Sequence, residues 1–276
     1  MKFSRYLDAK TSVERRSLNP AVLDEVRSLL EERTEPKVLE VGAGTGSMPI
    51  HLSERGVLPE GTRYTALDRD GEVLQRARKR LSEHGPSDSI DGTVTVGGAE
   101  VEFAQKSLYD ETEEYDLVIA HAVLDLLSLG DAVEHLLGIS EAFYFPVCFD
   151  GVTAFEPRYD DELDRLIEDT YHRTMDERSG GSETGRRVFG AVERAGGTVT
   201  AAGSSDWVIF PDENGYTEDE RYVLRYITET VRDAVADRPE VEDDRLQDWA
   251  EDRHNRIRKE ELVYIAHQID LAGRSD

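Results

Sequence analysis

The stretch Val38-Leu39-Glu40-Val41-Gly42-Ala43-Gly44-Thr45-Gly46 decides the fold. Its first half is a short apolar run suited to a buried strand. Its second half sets three glycines two residues apart, before a segment from Thr45 to Arg55 that reads as helix. Glycine lets the backbone turn sharply and approach a ligand where a Cβ would collide. Dinucleotide-binding loops share the order strand, glycines, helix, but their third glycine falls one position later, where this chain has Ser47. The spacing favours a nucleoside without a pyrophosphate.

Outward from this loop, strand-like and helix-like segments alternate, the pattern of a parallel sheet covered by helices. Helices are expected from Pro20 to Arg33 and from Asp70 to His84, and strands at Lys37 to Val41, Arg63 to Asp68, Val101 to Gln105, Tyr115 to His121 and Ala142 to Phe145. Beyond Asp150 an acidic amphipathic helix, Asp160 to Asp176, and a glycine-rich loop, Ser179 to Gly185, read as an insertion. A helix from Gly185 to Ala195 and strands at Thr198 to Gly203 and Asp206 to Phe210 follow, the second strand turning back antiparallel at the sheet edge. From Thr217 the chain reads as helical, with Leu262 to Leu271 as a terminal apolar stretch. One domain is expected, divided into N-terminal helices (1–36), a ligand-binding core (37–150), the insertion (151–184), the end of the sheet (185–212) and C-terminal helices (213–276).

Charge narrows the partners. Fifty-nine acidic side chains face 33 basic ones, a formal charge of −26. Nucleic-acid binding draws its affinity from basic residues that neutralise phosphates, so that class of partner is disfavoured. The cluster Arg76, Arg78, Lys79 and Arg80 reads as a solvated helix face. Such an acidic chain repels itself in dilute buffer and is relieved by salt, which suits a halophilic source. The single cysteine, Cys148, excludes an intrachain disulfide and a cysteine-rich zinc site, and no metal ligands are assigned. The polar start, Met1 to Lys10, and the lack of an apolar run of roughly 18 residues predict a cytoplasmic protein that does not span a membrane.

Val38 to Gly46 resembles motif I of class I S-adenosylmethionine-dependent methyltransferases, and the resemblance extends through Tyr64-Thr65-Ala66-Leu67-Asp68 and Tyr115-Asp116-Leu117-Val118-Ile119-Ala120-His121. It covers roughly residues 37–145, and it implies an α/β fold: a seven-stranded Rossmann-like sheet with one antiparallel strand. By the same resemblance Glu40, Gly42, Gly44 and Gly46 hold S-adenosylmethionine. Asp68 accepts from the ribose hydroxyls, a task suited to two carboxylate oxygens. The family often has an acid near the adenine amino group; here Ser107 stands there, with the backbone at Leu108 sharing the contact. The Asn/Asp-Pro-Pro-aromatic motif of amino-group enzymes acting on adenine or glutamine is replaced by His121-Ala122-Val123-Leu124, which leaves a small-molecule oxygen or nitrogen acceptor ahead.

Acceptor chemistry is expected at His121 and Asp125, after the fourth strand, where this family places its active site; His121 also borders the cofactor. A second candidate pair is His172 and Asp176, four apart on the insertion helix, with Met175 and Arg178 nearby. Tyr6 to Lys10 and Tyr264 to Asp270 are candidate helical covers over the pocket. Three other activities compete: a nicotinamide-dependent oxidoreductase, an aminopropyl transferase, and a nucleoside-binding protein that transfers nothing.

Overall fold

The computed structural model describes residues 1–84, 92–177 and 180–275. Two helices, α1 (Phe3–Ser17) and α2 (Pro20–Leu30), precede the sheet. Asn19 starts α2 by accepting from the backbone N–H groups of Ala21 and Val22, with Pro20 in the first turn. Then follow β1 (Lys37–Val41), α3 (Ser47–Glu54), β2 (Arg63–Asp68), α4 (Gly71–His84), β3 (Val94–Val96), β4 (Ala99–Gln105), β5 (Leu117–Ala120), α5 (Leu129–Gly138) and β6 (Ala142–Glu156). The second half contains α6 (Asp161–Asp176), α7 (Thr184–Arg194), β7 (Thr198–Ser204), β8 (Trp207–Ile209), α8 (Glu218–Val235), α9 (Asp243–Lys259) and β9 (Val263–Arg274).

The strands form one mixed sheet in the order β3-β4-β2-β1-β5-β6-β9-β7, with β8 also paired to β9. Strands β4, β2, β1, β5 and β6 are parallel neighbours, and β9 runs antiparallel between β6 and β7. The expected seven strands are present. The further two are β3, a short antiparallel partner of β4, and β9. From β1 the chain builds outward first to β2 and later to β5, so the sheet order reverses between β1 and β5. Ligands of such sheets bind in the crevice at the carboxyl ends of the strands at that reversal.

Two segments differ from the sequence reading. The stretch expected as a C-terminal helix is the strand β9, which completes the backbone hydrogen bonding of both β6 and β7 and so removes two open edges. Its burial alternates, with Tyr264, Ala266, Gln268 and Asp270 turned inward. Two polar members on the buried side hid that alternation from a hydrophobicity reading. Strands β7 and β8 do not form a hairpin: both run antiparallel to β9, with Ser204 opposite Ile269 and Trp207 opposite Ala266, so they continue one line. Strand β6 also extends to Glu156, past the expected start of the insertion, with register shifts between Phe145 and Cys148 and between Phe149 and Thr153.

Alternate residues of the central strands feed two apolar clusters. Val38, Tyr64, Ala66, Leu117 and Ile119 join the cluster packed by α1, α2, α8 and α9, while Leu39, Val41, Leu67, Val118 and Ala120 join the one under α5 and α7. By this period of two, Glu40 and His121 belong to the α1 face.

Of the chain's carboxylates, 26 have no basic counterpart. Exposed pairs such as Asp24–Arg27 and Glu35–Arg63 are each worth about 0–1 kcal/mol, too little to offset repulsion summed over the surface. The melting temperature should therefore rise from dilute buffer to about 1 M potassium chloride, where the Debye length is about 3 Å. A flat or falling curve over that range would show that self-repulsion is not what limits stability.

Candidate active site

The glycine loop leaves β1 with Gly42, Gly44 and Gly46 all at positive φ, a conformation that L side chains rarely adopt. Gly46 also packs against α4, where a Cβ would come within 2.4 Å of Leu81. A Cβ on Gly42 would meet Val123 at 2.9 Å, so the segment after β5 lies directly over the loop. Above Gly44 the nearest neighbour would be the Gly42 carbonyl at 3.8 Å, which leaves room for a ligand.

Asp68, at the end of β2, accepts from the Gly44 N–H through one carboxylate oxygen (3.0 Å) and from the Asp70 N–H through the other (3.0 Å). The predicted acid and the predicted loop are thus coupled. Beside Asp68, a groove of about 690 Å³ is lined by Arg69, Asp70, Gly71, Glu72, Gln75 and Gln105. Ser107 is half-buried and precedes the short 3-10 turn Leu108–Asp110. The side chain of Leu108 turns into the core, leaving its backbone for a base edge. Gln105, which the sequence reading passed over, lies closer to the groove, with its side chain against Gly71.

Glu40 is fully buried and accepts from the Tyr64 hydroxyl at 2.8 Å, while its second oxygen finds no hydrogen-bond partner among the described residues. Burial pushes its carboxyl up to about 8, helped by the nearby charges of Asp68 and Glu14, so it keeps its proton at neutral pH. A ligand cation against the free oxygen would reverse that.

His121 follows β5 and is 7% exposed, with Nε2 fully buried, without a hydrogen-bond partner among the described residues and 3.5 Å from Oε1 of Glu14. Burial lowers its pKa to about 4, against the opposing pull of Glu14. His51 of α3 is also buried, with both ring nitrogens unpartnered among the described residues, and burial holds it at about 3. Glu14 and its ion-pair partner Lys10 come from α1. Arg80 of α4 donates to Thr11 of α1 and to Thr45 of the glycine loop, both at 3.2 Å, so it is an interior strut and not part of a solvated face. Lys10, Glu14 and His51 carry no motif. Their only sequence trace is polar residues among buried neighbours, such as Glu14 beside Ala9 and Val13.

In the second predicted pair, Asp176 acts on His172 by charge, but the hydrogen bonds of the two side chains go elsewhere. Asp176 accepts from the backbone N–H and hydroxyl of Ser182, both at 2.8 Å, and so pins the loop that follows α6. His172 faces β6 instead, with Nε2 3.1 Å from the Thr153 hydroxyl and its ring against Phe149. The spacing of four puts both on one helix face, but the glycine-rich loop returns close enough to claim the carboxylate. Arg178 lies outside the described residues. Asp125 sits in the turn Leu124–Leu126, where Gly180 packs on its backbone: a Cβ there would come 2.1 Å from the Asp125 carbonyl. The insertion therefore touches the segment after β5, although His121 and His172 are held by different elements. Among the described residues no cluster suits a metal ion, and no helix is long and apolar enough to cross a membrane.

A family model described as a methyltransferase domain matches residues 39–142. No curated protein matches the sequence. Among solved structures, the YcgJ protein of Bacillus subtilis is similar at a TM-score of 0.53 and 11% identity, over 94% of this chain and 100% of that one. A candidate methyltransferase of Bacillus halodurans gives 0.51 at 12% identity, over 92% and 99%. Magnesium protoporphyrin IX methyltransferase of Synechocystis, solved with bound S-adenosylmethionine, gives 0.46 at 13% identity, over 92% and 79%. At such identities the likeness to solved structures is one of fold. Through residues 39–142 the chain is thus similar to the class I S-adenosylmethionine-dependent methyltransferases that its glycine loop resembles.

Proposed function

We propose that the chain transfers a methyl group to an oxygen or nitrogen of a small-molecule acceptor held under α1, beside His121. The observation that carries this reading is the set of unpartnered, buried polar atoms, from Glu40, His51 and His121, gathered on the α1 face around the glycine loop. Buried polar groups are almost always satisfied, so such a group of atoms fits a polar ligand. A site covered by a helix suits a small acceptor, and the charge of −26 opposes a phosphate backbone.

The residues present suit S-adenosylmethionine. Asp68 offers carboxylate oxygens to the ribose, Gln105, Ser107 and the backbone at Leu108 border the base, and the free oxygen of Glu40 suits the ammonium group. Bound there, the donor supplies an activated methyl on a sulfonium centre. The protein's share is to align and desolvate the acceptor. His121 is neutral at physiological pH and has a lone pair to receive the acceptor's proton. Asp125, in the turn after His121, and His172, on the insertion helix, remain the other candidates for contact with the acceptor.

Calorimetry tests the donor site first. S-adenosylmethionine should bind the wild-type protein, and Asp68→Ala should weaken binding by about 1.5–3 kcal/mol, the cost of a lost charged hydrogen-bonding partner. Unchanged affinity in a folded variant removes Asp68 from the site. Mass spectrometry of metabolite extracts incubated with enzyme and donor would then identify the acceptor.

A further inference from the structure

Helix α1 contributes more than a cover. Its Glu14 is 1% exposed, a burial that a carboxylate tolerates only when charged or polar partners surround it. Lys10 supplies one partner from the preceding turn. The other neighbour is His121 Nε2 at 3.5 Å, an approach still too long for a hydrogen bond, with both groups otherwise sealed. Hydrogen bonds of this kind tighten in the reacting complex.

We infer that Glu14 is the positioning residue of His121: it fixes the proton on Nε2 and leaves Nδ1 as the lone-pair nitrogen that faces the methyl acceptor. The inference rests on the methyl-transfer reading and adds a specific division of labour to it. As the acceptor's lone pair takes the methyl, the bond from carbon to sulfur breaks, the sulfonium becomes a neutral thioether, and the acceptor's proton passes to Nδ1. The imidazolium so formed is balanced by the Glu14 carboxylate and later returns its proton to water. A carboxylate fits this task because it is an acceptor only, so it enforces one tautomer of the ring, and because it offsets the positive charge in a site that otherwise disfavours it.

The charged and titratable groups around the pair agree. Besides Glu14, Lys10 acts on His121 from α1 and lowers its pKa, so the one group that favours its imidazolium is Glu14. Lys10 and His121, together with the more distant His51, keep Glu14 below the usual carboxylate range despite its burial, so it is ionised at neutral pH. Glu40, protonated at neutral pH, adds no charge of its own. Arg55 and Arg80 act on His51 in the direction that keeps that ring neutral.

Nitrogen NMR of histidine-labelled protein tests the inference without an acceptor. The chain has seven histidines, and His121→Asn assigns the one in question. Wild type should show His121 as the Nε2–H tautomer at pH 7. Glu14→Ala should shift the tautomer ratio toward Nδ1–H by about tenfold, the scale of one charged hydrogen bond. Glu14→Asp, which keeps the carboxylate one methylene shorter, should restore most of the wild-type ratio. A His121 tautomer unchanged in Glu14→Ala, in a variant whose other histidine resonances match wild type, overturns the inference, as does an Nδ1–H tautomer in wild type. Calorimetry on the same samples keeps the two readings apart: loss of S-adenosylmethionine binding by wild type would overturn the donor site, whereas a tautomer insensitive to Glu14 with binding intact would overturn only the role of Glu14.

Discussion

His121→Ala should lower turnover by roughly a hundred- to ten-thousand-fold once an acceptor is in hand, the usual loss for a missing general base, while S-adenosylmethionine binding changes little. The ring follows β5 on the α1 face, has Nε2 buried against Glu14, and is neutral at physiological pH. Burial holds its pKa to about 4, so falling pH protonates the base only near that value, and the acid limb of the rate profile should lie well below the ordinary histidine range. His172→Ala is the contrasting variant. Its Nε2 is engaged with Thr153 and its expected partner Asp176 is held by Ser182, so its loss should cost less than about tenfold. Turnover within a few-fold of wild type in His121→Ala, or an acid limb near pH 6.5, would remove His121 from the proton transfer.

The largest expected effect on stability lies away from the site. Asp164 of α6, 1% exposed, accepts from the indole N–H of Trp249 (2.7 Å), from Arg253 (2.8 Å) and from the backbone N–H groups of Tyr159 and Asp160. Arg253, fully buried on α9, also donates to the Pro157 carbonyl at 2.7 Å. This network ties α6 to α9, and so the insertion to the C-terminal helices. Asp164→Ala would leave the Arg253 charge with only the longer Asp252 contact at 3.8 Å and leave three N–H donors without their acceptor. Urea unfolding should report a loss of about 3–5 kcal/mol, the range for breaking a buried ion pair. A loss under about 1 kcal/mol would mean that water or another carboxylate takes over, and that the network does not hold the insertion in place.

The sequence by itself determined the elements whose signals are local. Lys37–Val41 and Arg63–Asp68 form strands with the expected bounds, because a short apolar run followed by glycines or an acid leaves the backbone few alternatives. The loop from Gly42 to Gly46 was legible for the same reason: close approach and positive φ leave glycine as the natural choice. The resemblance to class I methyltransferases followed from the order of these pieces over roughly residues 37–145, and a methyltransferase-domain model matches residues 39–142.

What only the tertiary structure decided depends on contacts distant in sequence. Strand β9 is a strand because β6 and β7 each present an open edge to it, and residues 263–274 do not record that in their own hydrophobicity. Asp176 lies within one helical turn of His172, but the returning loop supplied two donors at hydrogen-bonding distance, and local spacing cannot weigh that competition. Glu14 is the clearest case. It reads as one more acid in a chain of 59 acidic residues, and it becomes the partner of His121 only because α1, more than 100 residues earlier, folds over the carboxyl ends of β1 and β5, where a buried charge is stable only beside groups that compensate it.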